Sequence, residues 1–174
     1  ICVLSDKGFT GLIYSLAMRK VLVIAVAILV AAMPSSHATS IKGSQDQVLT
    51  VSKTTVKSGS TVTVNGKYFD ETVGIYLAFC VIPPKGKAPT PCGGGVNKAG
   101  SSEASFWISS NPPPYAIGLT EEYLPGGRFT QKVKISKKIG RFDCTKVKCA
   151  ITVRADHLRS NDRSSDLFIP IIVK

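Results

Sequence analysis

Lys57-Ser58-Gly59-Ser60-Thr61-Val62-Thr63-Val64-Asn65 is a turn followed by strict alternation of polar and apolar residues. Period-two alternation puts Val62 and Val64 on one face of a strand and the threonines on the other. A segment of that kind buries one face and wets the other, so it needs a second layer to cover its valines. The same pattern recurs outward in both directions. Residues 48–51 precede it. Residues 73–82, 104–109, 128–135, 149–155 and 167–173 follow it, with 73–82 apolar enough for a central position. Gly66, inside the first clear run, is expected to mark a bulge or bend. The connections are rich in turn formers. Residues 83–95 hold four prolines and four glycines, and 110–127 contain Pro112-Pro113-Pro114 and Pro125-Gly126-Gly127. Three successive prolines make a stiff extended segment that cannot be an inner strand. No part of residues 39–174 carries a 3.6-residue period. About seven short strands with turns between them predict an all-β, Ig-like antiparallel sandwich in a single domain over 48–174.

The N-terminal part reads differently. Met18-Arg19-Lys20 precedes thirteen apolar residues, 21–33, and then Ser36-His37-Ala38. That order is a basic start, an apolar stretch and a small-residue cleavage site, so 18–38 reads as a secretory leader cut after Ala38. The apolar run falls short of the roughly 20 residues that span a bilayer, which argues against a stable transmembrane anchor. Residues 1–17 read as an over-extended gene start, and 39–47 as a polar, frayed lead-in.

Four cysteines follow the leader: Cys80, Cys92, Cys144 and Cys149. An even count in an exported chain points to two disulfides. A metal site competes poorly, because the spacings lack nearby histidines and His157 is the single histidine after Ala38. Small-loop bridges contribute about 2–3 kcal/mol each and chiefly hold loop shape.

The chain carries 22 Lys+Arg and 11 Asp+Glu. Three of the former and one of the latter precede Thr39, leaving 19 against 10, a net +9. Such a balance favours anionic partners, either an envelope polymer or lipid head groups, though a merely basic surface would look the same. The lysines are scattered, with no run longer than Lys137-Lys138, so a specific nucleic-acid arm is not expected.

No nucleophile elbow, phosphate loop or dinucleotide fingerprint occurs. Asp156, His157, Asp162 and Ser164 crowd one short segment, and residues that close in sequence seldom converge as a triad. A hydrolase is therefore the remote reading. The plainer one is a loop tied by pairs such as Asp156 or Asp166 with Arg159 or Arg163. No motif supports haem ligation by His157, Tyr115 or Tyr123, and no cofactor is expected. Phe106, Trp107, Tyr115 and Tyr123 flank the long irregular stretch. Alternation forces one of Phe106 and Trp107 away from the core. These four are the candidate ligand-binding residues, with covering the end of the sandwich as the alternative.

Gly140-Arg141-Phe142-Asp143-Cys144 and Cys149-Ala150-Ile151-Thr152-Val153 resemble the closing cysteine hairpin of the neocarzinostatin family. Members are secreted actinobacterial Ig-like apoproteins that carry an enediyne chromophore. Lys57 to Val64 is similar to the family's early strand, Cys80 to the cysteine that ends its central strand, and Asn97-Lys98-Ala99-Gly100-Ser101 to its turn. The resemblance implies Cys80–Cys92 and Cys144–Cys149 pairing, and it implies a small apolar ligand. The chain departs from the family at Ile82 and at Gly93-Gly94-Gly95, where cleft aromatics would stand, and in its positive charge. Residues 155–166 also resemble a segment of actinobacterial envelope proteins, some linked to haem uptake. The expected function is a secreted, non-catalytic binding domain at the envelope, with a carrier of a small apolar ligand as the alternative.

Protein recovered from the medium should begin Thr39-Ser40-Ile41 on N-terminal sequencing. Recovery of the intact chain from the cytosol would overturn the leader assignment.

Overall fold

A computed structural model describes residues 38–94 and 102–174. The leader, Ala38 apart, and the Asn97 to Ser101 turn lie outside the described residues. Two sheets face each other. One has the order β1 (Thr39–Lys42), β2 (Val48–Val51), β4 (Thr61–Lys67), β7 (Phe129–Lys134). The other runs β3 (Thr55–Val56), β11 (Leu167–Val173), β10 (Cys149–Ala155), β5 (Ile75–Val81), β6 (Ser105–Ile108). β8 (Lys138–Ile139) and β9 (Phe142–Asp143) form a separate ribbon. Single 3-10 turns occur at Pro114–Ala116 and His157–Arg159. All seven expected strands are present, and every pairing within the sheets is antiparallel except β3 with β11.

Alternation decides which side chains meet between the sheets. Val62 and Val64 of β4 and Val133 of β7 are fully buried. They share one apolar cluster with Ile75, Leu77 and Phe79 of β5 and Ile151 and Val153 of β10. β5 is apolar at most positions of both parities and lies between β10 and β6 in the larger sheet. The lysines at the opposite parity of β7, Lys132 and Lys134, are exposed. Lys134 reaches Glu103 at 2.6 Å. Both expected disulfides, Cys80–Cys92 and Cys144–Cys149, are formed.

Two expectations need correction. Residues 39–47 are not a frayed lead-in: Thr39–Lys42 pairs with β2 from Thr39↔Val51 to Lys42↔Val48, and Gly43 N donates to the Gln47 carbonyl at 2.8 Å. Strand order sets this edge, because a polar four-residue segment carries no burial signal of its own. Gly66 is not a bulge. It stays in register between Leu49 and Phe129, and a Cβ there would run into the Phe129 ring. The missing side chain makes room for a buried phenyl group. The two-residue β3, an addition to the seven expected strands, lies parallel to the C-terminal strand.

Strand direction sorts the connections onto two ends. The turn 57–60, the loop 82–94 and the segment 135–148 sit at one end, with the Cys144–Cys149 bridge. Segments 68–74, 110–127 and 156–166 sit at the other.

Gly66→Ala should cost about 1–3 kcal/mol in urea unfolding, because Phe129 must leave its place. Lys132→Glu with Lys134→Glu should shift stability by under about 0.5 kcal/mol, since both lie on the solvent face and the Glu103 pair is exposed.

Candidate functional site

The register of the larger sheet places Trp107 of β6 and Arg154 of β10 on either side of Tyr76 of β5. All three have the outward parity, opposite to that of Ile75, Leu77 and Val153. The Arg154 guanidinium lies 5.5 Å from the Tyr76 ring centre and the Trp107 ring 5.7 Å from it. A cation over a phenol face is a favourable contact of about 0.5–1 kcal/mol at a wet site.

The chain then leaves β10 at Asp156, which caps the His157–Arg159 turn by accepting from Leu158 N at 3.0 Å. The other carboxylate oxygen accepts from Trp107 Nε1 at 3.1 Å. Asp156 is buried, at 2% exposure, and a Cβ on Gly74 would collide with its carboxylate. One side chain therefore fixes both the indole and the turn. That turn stacks His157 on Tyr76 at 6.0 Å and 19°, and presents it edge-on to Trp107 at 5.0 Å. The Tyr76 hydroxyl hydrogen-bonds His157 Nδ1, and the Tyr115 hydroxyl meets Nε2 at 2.7 Å. Tyr115 comes from the Pro114–Ala116 turn and is 65% exposed. Burial, and next the nearby Asp156 charge, raise the Tyr76 pKa, so its phenol stays protonated.

Four rings from four elements thus gather on the solvent face of the larger sheet. Trp107 and Tyr115 belong to this group. Phe106 and Tyr123 do not. Phe106 pairs with Leu77 and packs against the core. Tyr123 is 7% exposed and donates to the Val73 carbonyl at 3.1 Å, and burial raises its pKa further still. Tyr76 and His157 join the face without having been among the four candidate ligand-binding residues, and Tyr76 carried the clearer signal. Its signal was an amphipathic ring at the outward parity of an otherwise apolar strand.

The Asp156 carboxylate bonds Trp107 and Leu158 N and does not orient the His157 ring. The Ser164 hydroxyl donates to Asp162 at 2.6 Å. Of the expected carboxylate–arginine pairs, Arg163 and Asp166 meet at 3.2 Å. The two phenols bond opposite imidazole nitrogens, which diverge, so they do not converge on one ion. Among the described residues no group of three or more His, Cys, Asp and Glu could hold a metal. No helix of the described residues is long and apolar enough to cross a membrane. Hollows of about 370 Å³ beside Asn65 and Arg128 and about 280 Å³ beside Tyr68 and Tyr123 do not include His157.

Asp156→Ala should cost about 1–3 kcal/mol in urea unfolding, because it strips a cap and leaves the indole N–H without its acceptor. Ser164→Ala should cost less, since its hydroxyl serves only a local turn. Equal losses would overturn the central place of Asp156.

No protein-family model and no curated protein matches the chain. It is similar to a solved structure of macromomycin, with 14% identity and a TM-score of 0.46 over 74% of this chain and 99% of that one.

Proposed function

We propose that the chain is a non-catalytic binding domain that works outside the cytoplasm, at the cell envelope or in the medium. Its ligand face is the outer surface of the larger sheet at Tyr76, Trp107, Tyr115 and His157. The carrying observation is the gathering of these rings where the core has no use for them. An aromatic ring held at a wet surface gains by stacking on a flat apolar partner, about 0.5–1.5 kcal/mol per pair beyond its buried area. The phenol tips and Arg154 supply polar contacts that would orient an acidic or hydroxyl group on that partner. A small, flat, weakly acidic molecule is therefore the ligand class that fits. The small apolar ligand implied by the resemblance to the neocarzinostatin family is of the same general kind. The leader-like segment and the two disulfides support an oxidising, external location. Both ring nitrogens of His157 are engaged by phenols, which supports binding over catalysis.

The test is a titration with 2-naphthoate followed by the emission of Trp107, the one tryptophan in the chain. Saturable quenching is expected, and Tyr76→Ala or His157→Ala should weaken it at least tenfold. Tyr68→Ala removes an aromatic that is 67% exposed elsewhere and should leave it unchanged. Equal weakening by all three, or no saturation, would sink the reading.

A further inference from the structure

The net charge of the chain is not spread over the sandwich. Ten lysines and arginines lie at the hairpin end, in 53–57, 85–87, 137–148 and at Lys174. Asp143 stands among them, and Glu103 lies beside them paired to Lys134, so this end accounts for the whole +9 of residues 39–174. Eight of the ten carboxylates after Ala38 lie at the far end, at 46, 70–71, 121–122 and 156–166. Seven-residue strands such as β5 and β10 separate the ends by roughly 20 Å. That exceeds twice the screening length of about 8 Å at physiological salt, so the acidic end does not neutralise the basic one.

The basic end is also held rigid. The Cys144–Cys149 bridge closes its hairpin, and Cys144 N donates to the Lys137 carbonyl at 2.9 Å. Lys137 N donates to Ser58 Oγ at 3.0 Å, and Gly59 N to the Ile135 carbonyl at 2.8 Å, which join the Lys57 turn to the same surface. Asp143 is occupied locally: it accepts from Thr145 N at 3.0 Å and Thr145 Oγ1 at 2.7 Å, and lies 3.6 Å from Lys138.

We propose that this basic pole is a second binding surface, separate from the aromatic face, and that it docks a linear acidic polymer outside the cell. The proposal rests on the reading of an extracellular binding domain. Charge complementarity names the polymer, and the distribution of apolar groups separates it from a membrane. Among the described residues, the exposed large apolar ones Tyr68, Tyr115, Ile117, Leu124 and Leu158 lie at or near the far end, and Ile172 alone lies nearer the basic one. A surface that inserts into lipid needs apolar groups beside its charges. Nearly all the cations are lysines, which act as point charges, and sequence readout of a duplex relies mainly on forked arginines.

The test uses the full-length chain, expressed with its N-terminal segment intact, and long-chain polyphosphate as the probe. If about four charges are engaged, affinity should fall about twentyfold between 50 and 150 mM salt. Lys57→Glu/Lys137→Glu/Lys146→Glu should lose at least tenfold in affinity, and its salt slope should drop by about two. Lys42→Glu/Lys67→Glu/Lys132→Glu makes the same change in net charge elsewhere and should lose less than threefold. Both variants should keep the 2-naphthoate response of Trp107 if that response exists, and their unfolding transitions if it does not. The two readings thus fail separately. Should the first triple variant not fold, the glutamine replacements at the same positions take its place. Equal loss in the two variants would make net charge alone responsible and overturn the proposal. So would tighter binding to phosphatidylglycerol vesicles or to duplex DNA than to polyphosphate.

Discussion

Burial of one parity of β5 and β10 against the valines of β4 and β7 is the constraint from which the remaining features follow. Leu77, Phe79, Ile151 and Val153 are all fully buried. Once they face inward, Tyr76, Trp107 and Arg154 have no choice but to face outward, because successive side chains on a strand alternate. A slip of one residue in β5 would put the Tyr76 phenol into the core, and the same slip in β10 the Arg154 guanidinium, at a cost no surface contact could offset. The stability of the core and the composition of the aromatic face are thus one decision, made by register.

Most of the seven strands could be read from alternation, and β5 from an apolar run bounded by turn formers. The elements that could not be read are short and polar. β1, β3 and the β8–β9 ribbon have two to four residues each, and tertiary pairing makes them strands. Gly66 shows the same limit from the other side. A glycine in a strand permits a bulge, and it also permits a ring to approach, and only the partner across the ladder distinguishes the two.

The candidate face was half legible. Trp107 was visible as one of two adjacent aromatics that could not both be buried, and Tyr115 as an aromatic in a proline-rich loop. Tyr76 and His157 are 81 residues apart, and Tyr115 and His157 are 42 apart. No local pattern foretells a meeting over such separations. Tyr123 also stood in an irregular stretch, yet it is a core residue, because a loop with few strands of its own can still fold back over the end of a sandwich. The even cysteine count pointed to bonding but not to partners, and those followed from the family resemblance and then from the structure.

The edge strands of the two sheets are β1 and β7 in one and β3 and β6 in the other. An exposed strand edge offers unpaired backbone groups to any other chain it meets. β6 is covered by the segment at Glu121, which exchanges hydrogen bonds of 2.9 and 2.8 Å with Trp107 and Ser109. On β7, Lys134 N is taken by the Glu103 carbonyl at 2.7 Å, and Lys132 and Lys134 stand on its solvent face. β3 is two residues long and β1 four. Each edge is thus short, covered or charged, and a folded copy offers little template for amyloid-like growth or edge-to-edge clumping. That is a useful property in a setting without ATP-driven chaperones, where a protein that has once precipitated stays lost.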